Sequence, residues 1–231
     1  MIKYNGLSTL EVLEGAENYN SWIASNIRPY VKSPLLEVGA GSGNISNYFL
    51  DYKDFTLSDI DLGLVRLLKN KFKSKKVNII KLDIENDSMV KQVNHFNSIF
   101  AVNVLEHIKN DSAALLKMYK AMNTGGKIIL LVPANQFAYT KLDKELGHFR
   151  RYSKKELIKK VTEAGFKLER IKYFNILGLL TWIVRDRIEG ENINLKPYQI
   201  ALFDRIVPVL RFIESRLSIP IGISLILVAR K

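Results

Sequence analysis

The chain has 231 residues, 47% of them hydrophobic and 25% charged, which is typical of a globular protein long enough to bury a core. It contains no cysteine, which excludes disulfides, thiolate metal sites and cysteine nucleophiles. The net charge of +12 is uneven, because residues 1–140 carry 16 Lys and Arg against 13 Asp and Glu, whereas residues 141–231 carry 19 against 10. The basic C-terminal part predicts either an anionic partner or simply a solubilising surface.

Signals for export or membrane insertion are not apparent. The sequence has neither a basic-then-apolar leader nor an apolar run of about 18 residues. We therefore expect a cytoplasmic protein, and the lack of cysteine is compatible with that compartment. No repeat or linker interrupts the pattern, so residues 1–231 are expected to form a single domain.

Residues 8–31 are predicted to form a helical cap in two pieces that lies over the carboxyl edge of a sheet. Apolar side chains recur there at spacings of three and four, among them Tyr19, Trp22 and Ile27. An aromatic pair at helical spacing is more typical of a core. The alternative is that Tyr19 and Trp22 cover a ligand pocket.

A glycine-rich turn follows the first predicted strand, residues 34–38, and precedes a helix predicted over residues 44–49. Such a turn lets backbone N–H groups approach a ligand closely. A dinucleotide fingerprint would need glycine at position 44, where the chain has Asn44, which argues against a nucleotide-dependent oxidoreductase. The pattern is Glu37-x-Gly39-x-Gly41-x-Gly43.

Acidic residues follow the next two predicted strands. Residues 54–58 lead to Asp59 and Asp61, and residues 77–81 lead to Asp83. An acid roughly 20 residues after a glycine turn is placed to accept hydrogen bonds from two ribose hydroxyls. An acid before a helix is equally placed to cap it. We favour Asp59 for the ribose and Asp61 as the cap of a helix predicted over residues 62–73.

The central part of the chain repeats the strand–helix alternation. The strand predicted over residues 98–102 is followed by Leu105-Glu106-His107. A helix over residues 112–122 is predicted to end at Gly125 and Gly126, with glycine in the left-handed conformation. Residues 127–132 are almost wholly apolar, as expected of a central parallel strand.

A second polar stretch, residues 143–153, precedes a helix that is predicted over residues 154–164 and capped by Ser153 and Glu156. Its side chains could orient an anionic or hydroxylated substrate and remove its proton. The alternative is that its two arginines pair with Asp143 and Glu145 and pin the loop. The residues concerned are His148, Arg150, Arg151 and Tyr152.

The strands predicted at residues 166–174 and 222–229 are separated by an insertion, residues 175–221. Its first part is apolar, and its second part is amphipathic with a kink predicted at Pro208. The insertion suits a substrate lid, a subunit interface or a membrane-surface contact, and extra core is the simplest alternative. One face of the second part is predicted to hold Ile200, Phe203, Ile206, Val207, Leu210, Ile213 and Leu217.

Together, the glycine turn, the two strand-end acids, Leu105-Glu106-His107 and Gly125-Gly126 resemble class I S-adenosylmethionine-dependent methyltransferases over roughly residues 17–230. The Gly147-His148-x-Arg150-Arg151-Tyr152-Ser153 loop resembles one branch of that class. The resemblance implies an α/β fold: a Rossmann-like, doubly wound seven-stranded sheet of order 3-2-1-4-5-7-6. Its last strand would be antiparallel, and the helical insertion would lie between strands 6 and 7.

The resemblance also implies S-adenosylmethionine as cofactor, S-adenosylhomocysteine as product and a small-molecule or lipid-linked acceptor. No metal site is evident from the sequence. For a hydroxyl acceptor the catalytic candidates are His148, which we prefer as the base, His107, Tyr152 and Arg151. The cofactor-binding residues implied are Tyr19, Glu37, Gly39, Gly41, Gly43, Asn44, Asp59, Ile60, Asp83, Ile84 and Asn103.

A second hypothesis is a catalytically degenerate member of the same fold that binds RNA or an anionic membrane through its basic C-terminal part. The intact glycine turn argues against it, and the sequence does not favour a nucleic-acid partner. Peripheral membrane contact and an oligomer formed through residues 175–221 both stay open.

Overall fold

The computed structural model describes residues 15–86, 94–189 and 197–231. Its seven strands form one sheet of order β3-β2-β1-β4-β5-β7-β6, which confirms the predicted order. Only β7 runs antiparallel to its neighbours, as predicted. The strands are β1 Leu35–Val38, β2 Phe55–Asp59, β3 Val77–Lys81, β4 Phe96–Val102, β5 Met122–Pro133, β6 Lys167–Phe174 and β7 Ser224–Arg230.

Helices cover both faces of the sheet, because each face is apolar and has to be buried. On one face α3 and α5 supply Leu115, Met118 and Leu157 to the core. On the other face Trp22 of α1 and Leu68 of α2 pack with residues of α7. The helices are α1 Glu17–Ile27, α2 Leu62–Lys71, α3 Asp111–Ala121, α4 Lys141–Glu145, α5 Lys154–Glu163, α6 Ile176–Glu189 and α7 Pro197–Arg216.

Two local predictions were wrong. The helix expected over residues 44–49 is a single 3₁₀ turn, Ser46–Phe49, because the chain bends again before β2 begins at Phe55. The helix α3 ends at Ala121, and Met122 is already extended, so Gly125 does not cap it. Gly125 has φ +80° within β5, where its N–H donates to the carbonyl of Lys231 at 2.9 Å.

The insertion contains α6 and α7 and is bonded to the N-terminal helix. The Asp204 carboxylate of α7 accepts the backbone N–H groups of Asn18 and Tyr19, at 3.1 and 2.8 Å, in the first turn of α1. This bond satisfies donors that a helix N-terminus leaves open. The part of the predicted cap at residues 8–14 lies outside the described residues.

The prediction that one face of α7 holds all seven apolar residues was wrong. Val207 is buried and Phe203 and Leu210 pack against the core, whereas Ile206 and Leu217 are exposed. The helix therefore has an inner and an outer apolar stripe, which a single amphipathic pattern does not separate. Pro208 lies inside the continuous helix Pro197–Arg216. Within the described residues no helix combines the length and the apolar character needed to cross a membrane.

Candidate functional site

The glycine turn after β1 requires glycine at each predicted position. Gly39, Gly41 and Gly43 have φ of +71°, +57° and +81°, in the left-handed region that other residues rarely adopt. A Cβ on Gly39 would lie 2.4 Å from Cγ2 of Val104. The turn is therefore a tight backbone cradle at the carboxyl edge of β1, packed against the segment that follows β4.

Asp59 fixes this cradle to the end of β2. Its carboxylate accepts the backbone N–H groups of Gly41 and Asp61, each at 2.9 Å. Burial raises the pKa of Asp59 above its ordinary value. Asp61 caps α2 through the N–H groups of Gly63 and Leu64, so the capping role predicted for it is confirmed.

Two further polar groups lie beneath or within the turn. Glu37 is buried, accepts a hydrogen bond from the Ser46 hydroxyl at 2.6 Å and has its pKa raised to about 8 by burial. The Ser42 hydroxyl is buried and has no hydrogen-bond partner among the described residues. A buried polar atom without a partner is costly in a folded protein, and a bound ligand is one way to supply that partner.

The other predicted cofactor residues have different surroundings. The Asp83 carboxylate accepts the N–H groups of Glu85 and Asn86, both at 3.0 Å. Burial alone would raise the pKa of Asp83, but these bonds and the Asn86 amide outweigh it, and the pKa is lowered. Ile60 is 51% exposed beside the turn, whereas Ile84 is buried in the core.

Asn103 and Tyr19, the last and the first predicted cofactor residues along the chain, differ in their surroundings. Asn103 is exposed directly after β4, with φ +52° and its N–H donated to the carbonyl of Leu131. Tyr19 packs against Trp22, Phe174 and Phe203, and burial raises its pKa to about 12. This aromatic cluster lies near the end of β6, so its packing favours a structural role for Tyr19.

A second group of polar residues lies at the same edge of the sheet, beyond β4 and β5. The ring of His148 is held through Nδ1, 2.7 Å from Oδ1 of Asp143, and lies edge-on to His107 with ring centres 4.6 Å apart. The N–H of Phe149 donates to the carbonyl of Glu106 at 2.8 Å, which joins the loop before α5 to the segment after β4. Glu106, His107 and His148 thus come together although they are distant in sequence.

Glu106 has an unusual environment. Its side chain is fully buried, and neither carboxyl oxygen has a hydrogen-bond partner among the described residues. Burial raises the pKa of Glu106 to about 8. Burial and the neighbouring His148 lower the pKa of His107 to about 4, so this ring is neutral near pH 7.

Arg151 and Tyr152 have structural surroundings, which argues against the catalytic roles predicted for them. Nε of Arg151 lies 3.0 Å from both oxygens of Asp143, so this arginine does pair as the structural alternative expected. The Tyr152 hydroxyl is buried and donates to Asp111 at 2.9 Å, and burial raises its pKa far above the ordinary value. Arg150 pairs with Asp111, at 2.6 Å, and not with Asp143 or Glu145.

The insertion contacts this second group through Trp182 of α6. The Trp182 ring of α6 lies 4.8 Å from the Arg151 guanidinium, and its Nε1 donates to the carbonyl of Ala138 at 3.1 Å. Sequence reasoning gave Asp143 only a pairing with the arginines of its loop and gave Glu106 no role in this group. The position of Asp143, five residues before a candidate histidine, could have indicated that the two side chains bond. Nothing in the sequence indicates that the Glu106 carboxyl is buried without a hydrogen-bond partner among the described residues.

Comparisons with known proteins agree with this geometry. Residues 17–171 match a family described as a methyltransferase domain. The chain is 28% identical over 134 residues to the hybrid PKS-NRPS synthetase thnA of Trichoderma harzianum, covering 52% of this chain and 3% of the synthetase. It is 30% identical over 116 residues to the tRNA U34 carboxymethyltransferase of Helicobacter pylori, covering 47% of this chain and 43% of that enzyme.

A solved structure shares the fold over nearly the whole chain. It is a SAM-dependent methyltransferase from Archaeoglobus fulgidus with 15% identity and a TM-score of 0.62, and the match covers 92% of this chain and 94% of that one. At this level of identity the likeness concerns the fold.

Proposed function

This chain belongs to the class I S-adenosylmethionine-dependent methyltransferases, and from that premise we propose that it methylates a hydroxyl group of a small-molecule or lipid-linked acceptor. Two parts of the carboxyl edge of the sheet have different roles in this proposal. The glycine cradle and Asp59 bind the cofactor, and the histidine pair faces the acceptor. The observation that carries the proposal is the glycine cradle, inside which the buried hydroxyl of Ser42 has no hydrogen-bond partner in the part of the chain that the structure describes.

The residues of the cradle fit this cofactor. S-adenosylmethionine supplies an activated methyl group on a positively charged sulfur, and the acids near the cradle suit a cationic, ribose-bearing ligand. The tight turn at Gly39 and Gly41 gives the backbone close access to the amino-acid part, and Asp59 and Asp83 offer acceptors for the ribose and the adenine amine. Ser42 gains a partner when the ligand is bound.

The acceptor side contains an oriented histidine. Because an ionised carboxylate only accepts hydrogen bonds, Nδ1 of His148 carries the proton that faces Asp143, and Nε2 has a free lone pair. A base held by a third group is a common arrangement for removing a proton from a hydroxyl. His148 would take that proton as the acceptor oxygen takes the methyl group, and S-adenosylhomocysteine would leave.

Asp59 variants test the cofactor half. We expect Asp59→Ala to weaken S-adenosylhomocysteine binding in calorimetry by about 10- to 100-fold, since hydrogen bonds to a charged group contribute about 1.5–3 kcal/mol. Asp61→Ala is the matched control, and it should keep the affinity while losing about 1 kcal/mol of stability as a helix cap. Asp59→Asn, which keeps one acceptor for Gly41, separates cradle support from ribose binding. Unchanged affinity in Asp59→Ala would remove its role, and a wild-type protein that binds neither cofactor nor product would refute the proposed function.

We also propose that the outer face of α7 rests on an anionic membrane, which would bring the site to a lipid-linked acceptor. Five apolar side chains form an exposed stripe at spacings of three and four: Leu202, Ile206, Val209, Ile213 and Leu217. Arg205, Arg211 and Arg216 are exposed on the same helix. The two acidic residues of α7 face the protein and not the solvent. Asp204 accepts backbone N–H groups of α1, and Glu214 accepts the N–H groups of Asn175 and Ile176. The exposed charges of α7 are therefore all positive, which suits anionic lipid headgroups.

Vesicle sedimentation tests this surface. Wild-type protein should bind vesicles that contain anionic phosphatidylserine and not neutral ones, and Arg205→Glu/Arg216→Glu should lose most of that binding, since each basic residue contributes about 1 kcal/mol near such a surface. Lys155→Glu/Lys159→Glu on α5 makes the same charge change on exposed residues of another helix and should bind as wild type does. Equal loss in both variants, salt-dependent binding to RNA without vesicle binding, or a dimer that covers the stripe would each contradict membrane contact.

A further inference from the structure

We propose that Glu106, His107 and His148 form a binding site for a divalent transition-metal ion at the carboxyl edge of the sheet, beyond β4. One ligand atom from each side chain lies within 4.8 Å of the others. Two imidazole nitrogens and a carboxylate oxygen are a ligand set that zinc and iron(II) use, with metal–ligand distances of about 2.0–2.2 Å. Ligands of one tetrahedral ion are roughly 3.4 Å apart, so the most separated pair needs to draw in by at most about 1.4 Å, which side-chain rotation can supply.

The surroundings of each ligand support a metal. Histidines that bind metals usually donate their second ring N–H to a carboxylate or a backbone carbonyl. Asp143 holds His148 in this way at 2.7 Å, and a backbone hydrogen bond joins His107 to Gly147. The outer partner of His148 is itself fixed, because Asp143 also binds Arg151.

Glu106 supplies the second, independent observation. It is fully buried, and neither oxygen has a partner among the described residues, although the side chain faces the two rings. Buried carboxylates are normally paired, hydrogen-bonded or bound to a metal. An ion bound here would take the ionised form of Glu106, and a divalent cation would offset that charge, since Asp143 is already paired with Arg151.

The site has consequences for the acceptor, and this part rests on the proposed function. Three protein ligands leave coordination positions open, which is the arrangement of metal sites that bind a substrate or water. An acceptor hydroxyl bound there would lie on the same sheet edge as the glycine cradle. With the ion present, Nε2 of His148 would be a ligand and not the base, because Nδ1 faces Asp143, and the ion would instead lower the pKa of the bound hydroxyl so that its proton is lost to water. Acceptors with a second oxygen nearby, such as a vicinal diol or a phosphate-bearing alcohol, would bind better than simple alcohols because they can occupy two positions.

Metal titration of the full chain tests the site without any acceptor. After dialysis against a chelator, calorimetry with Zn²⁺ and visible absorption with Co²⁺ should report one ion per chain. Glu106→Gln, His107→Ala and His148→Ala should each weaken binding by about 10-fold or more. His95→Ala is the matched control, because His95 is the remaining histidine and is exposed just before β4, at the amino end of the strand, whereas Glu106 and His107 follow its carboxyl end.

The outcomes separate the metal site from the proposed function. Each variant is also titrated with S-adenosylhomocysteine, and an unchanged affinity shows that the fold and the cradle persist. Absence of tight Zn²⁺ and Co²⁺ binding by wild-type protein, or an equal effect of His95→Ala, would overturn the metal site and leave the methyltransferase proposal intact. If His148→Ala does not fold, His148→Gln and Glu106→Gln decide the question.

Discussion

Replacing Asp143 by alanine is expected to lower the free energy of unfolding by about 3–5 kcal/mol, the usual cost of breaking a buried ion pair. Asp143 is fully buried and binds Arg151, His148 and the backbone N–H of Thr140. Arg151 is itself only 2% exposed, so its charge would stay buried without its partner. Urea denaturation followed by circular dichroism measures the change.

Asp51→Ala is the matched control for this variant. Asp51 also pairs with an arginine, Arg28, but the two side chains are 60% and 45% exposed, and such pairs contribute little. We expect a loss below about 1 kcal/mol for this control. Equal losses in the two variants would show that Asp143 does not hold the loop before α5 in place.

The same carboxylate predicts a pH dependence. Burial alone would raise the pKa of Asp143, but hydrogen bonds from His148, Arg151 and Thr140 outweigh it and lower the pKa below its ordinary value. A lowered folded-state pKa means that the carboxylate stabilises the fold above the unfolded value, and that this contribution is lost as pH falls through the folded pKa. Asp143→Ala should therefore lose less stability in acid than wild-type protein does.

Gly39→Ala is expected to have the second-largest effect, a loss of about 2–5 kcal/mol together with weak cofactor binding. The left-handed conformation costs a residue with a side chain about 1–2 kcal/mol, and overpacking adds about 1–3 kcal/mol. The overpacking is specific, since the new Cβ would lie 2.4 Å from Cγ2 of Val104. Denaturation and calorimetry with S-adenosylhomocysteine measure the two effects.

Gly125→Ala separates the two causes. Gly125 has φ +80°, but no atom of the described residues lies within 4 Å of an added Cβ. This variant should therefore lose only the backbone part of the stability and keep its cofactor affinity. In Gly39→Ala/Val104→Ala the packing part should be recovered and the backbone part should remain. If Gly39→Ala costs no more than Gly125→Ala, contact with Val104 is not what requires glycine in the cradle.

The alternation of apolar runs with turn residues was sufficient to predict where the strands of the sheet lie in the sequence. The bounds predicted for the strand at residues 77–81 are those of β3, and the strand predicted over residues 54–58 differs from β2 by one residue at each end. Long apolar strands between helices specify parallel pairing locally. The prediction for Gly125 failed because a left-handed glycine is used both at helix ends and within irregular strands.

The candidate site was only partly predictable. The glycines and Asp59 are close in sequence and are joined by one strand–helix unit, so their proximity follows from local structure. The pairing of His148 with Asp143 and His107 depends on the loop before α5 folding over the end of β4. Packing also decided whether Arg151 and Tyr152 face a substrate or the core. Both side chains are buried in hydrogen-bonded networks.

The sequence alone therefore determined the alternation of strands and helices and the glycine turn, because periodicity and turn chemistry act over a few residues. The strand order and the methyltransferase family followed from the resemblance that these motifs carry together. The tertiary structure decided which buried oxygens lack a hydrogen-bond partner within residues 15–86, 94–189 and 197–231, among them the Ser42 hydroxyl and both carboxyl oxygens of Glu106. The tertiary structure also decided which apolar stripe of α7 is exposed, since only one side of the helix can pack against the core. Burial and partnership are properties of the whole packed chain, and local sequence does not contain them.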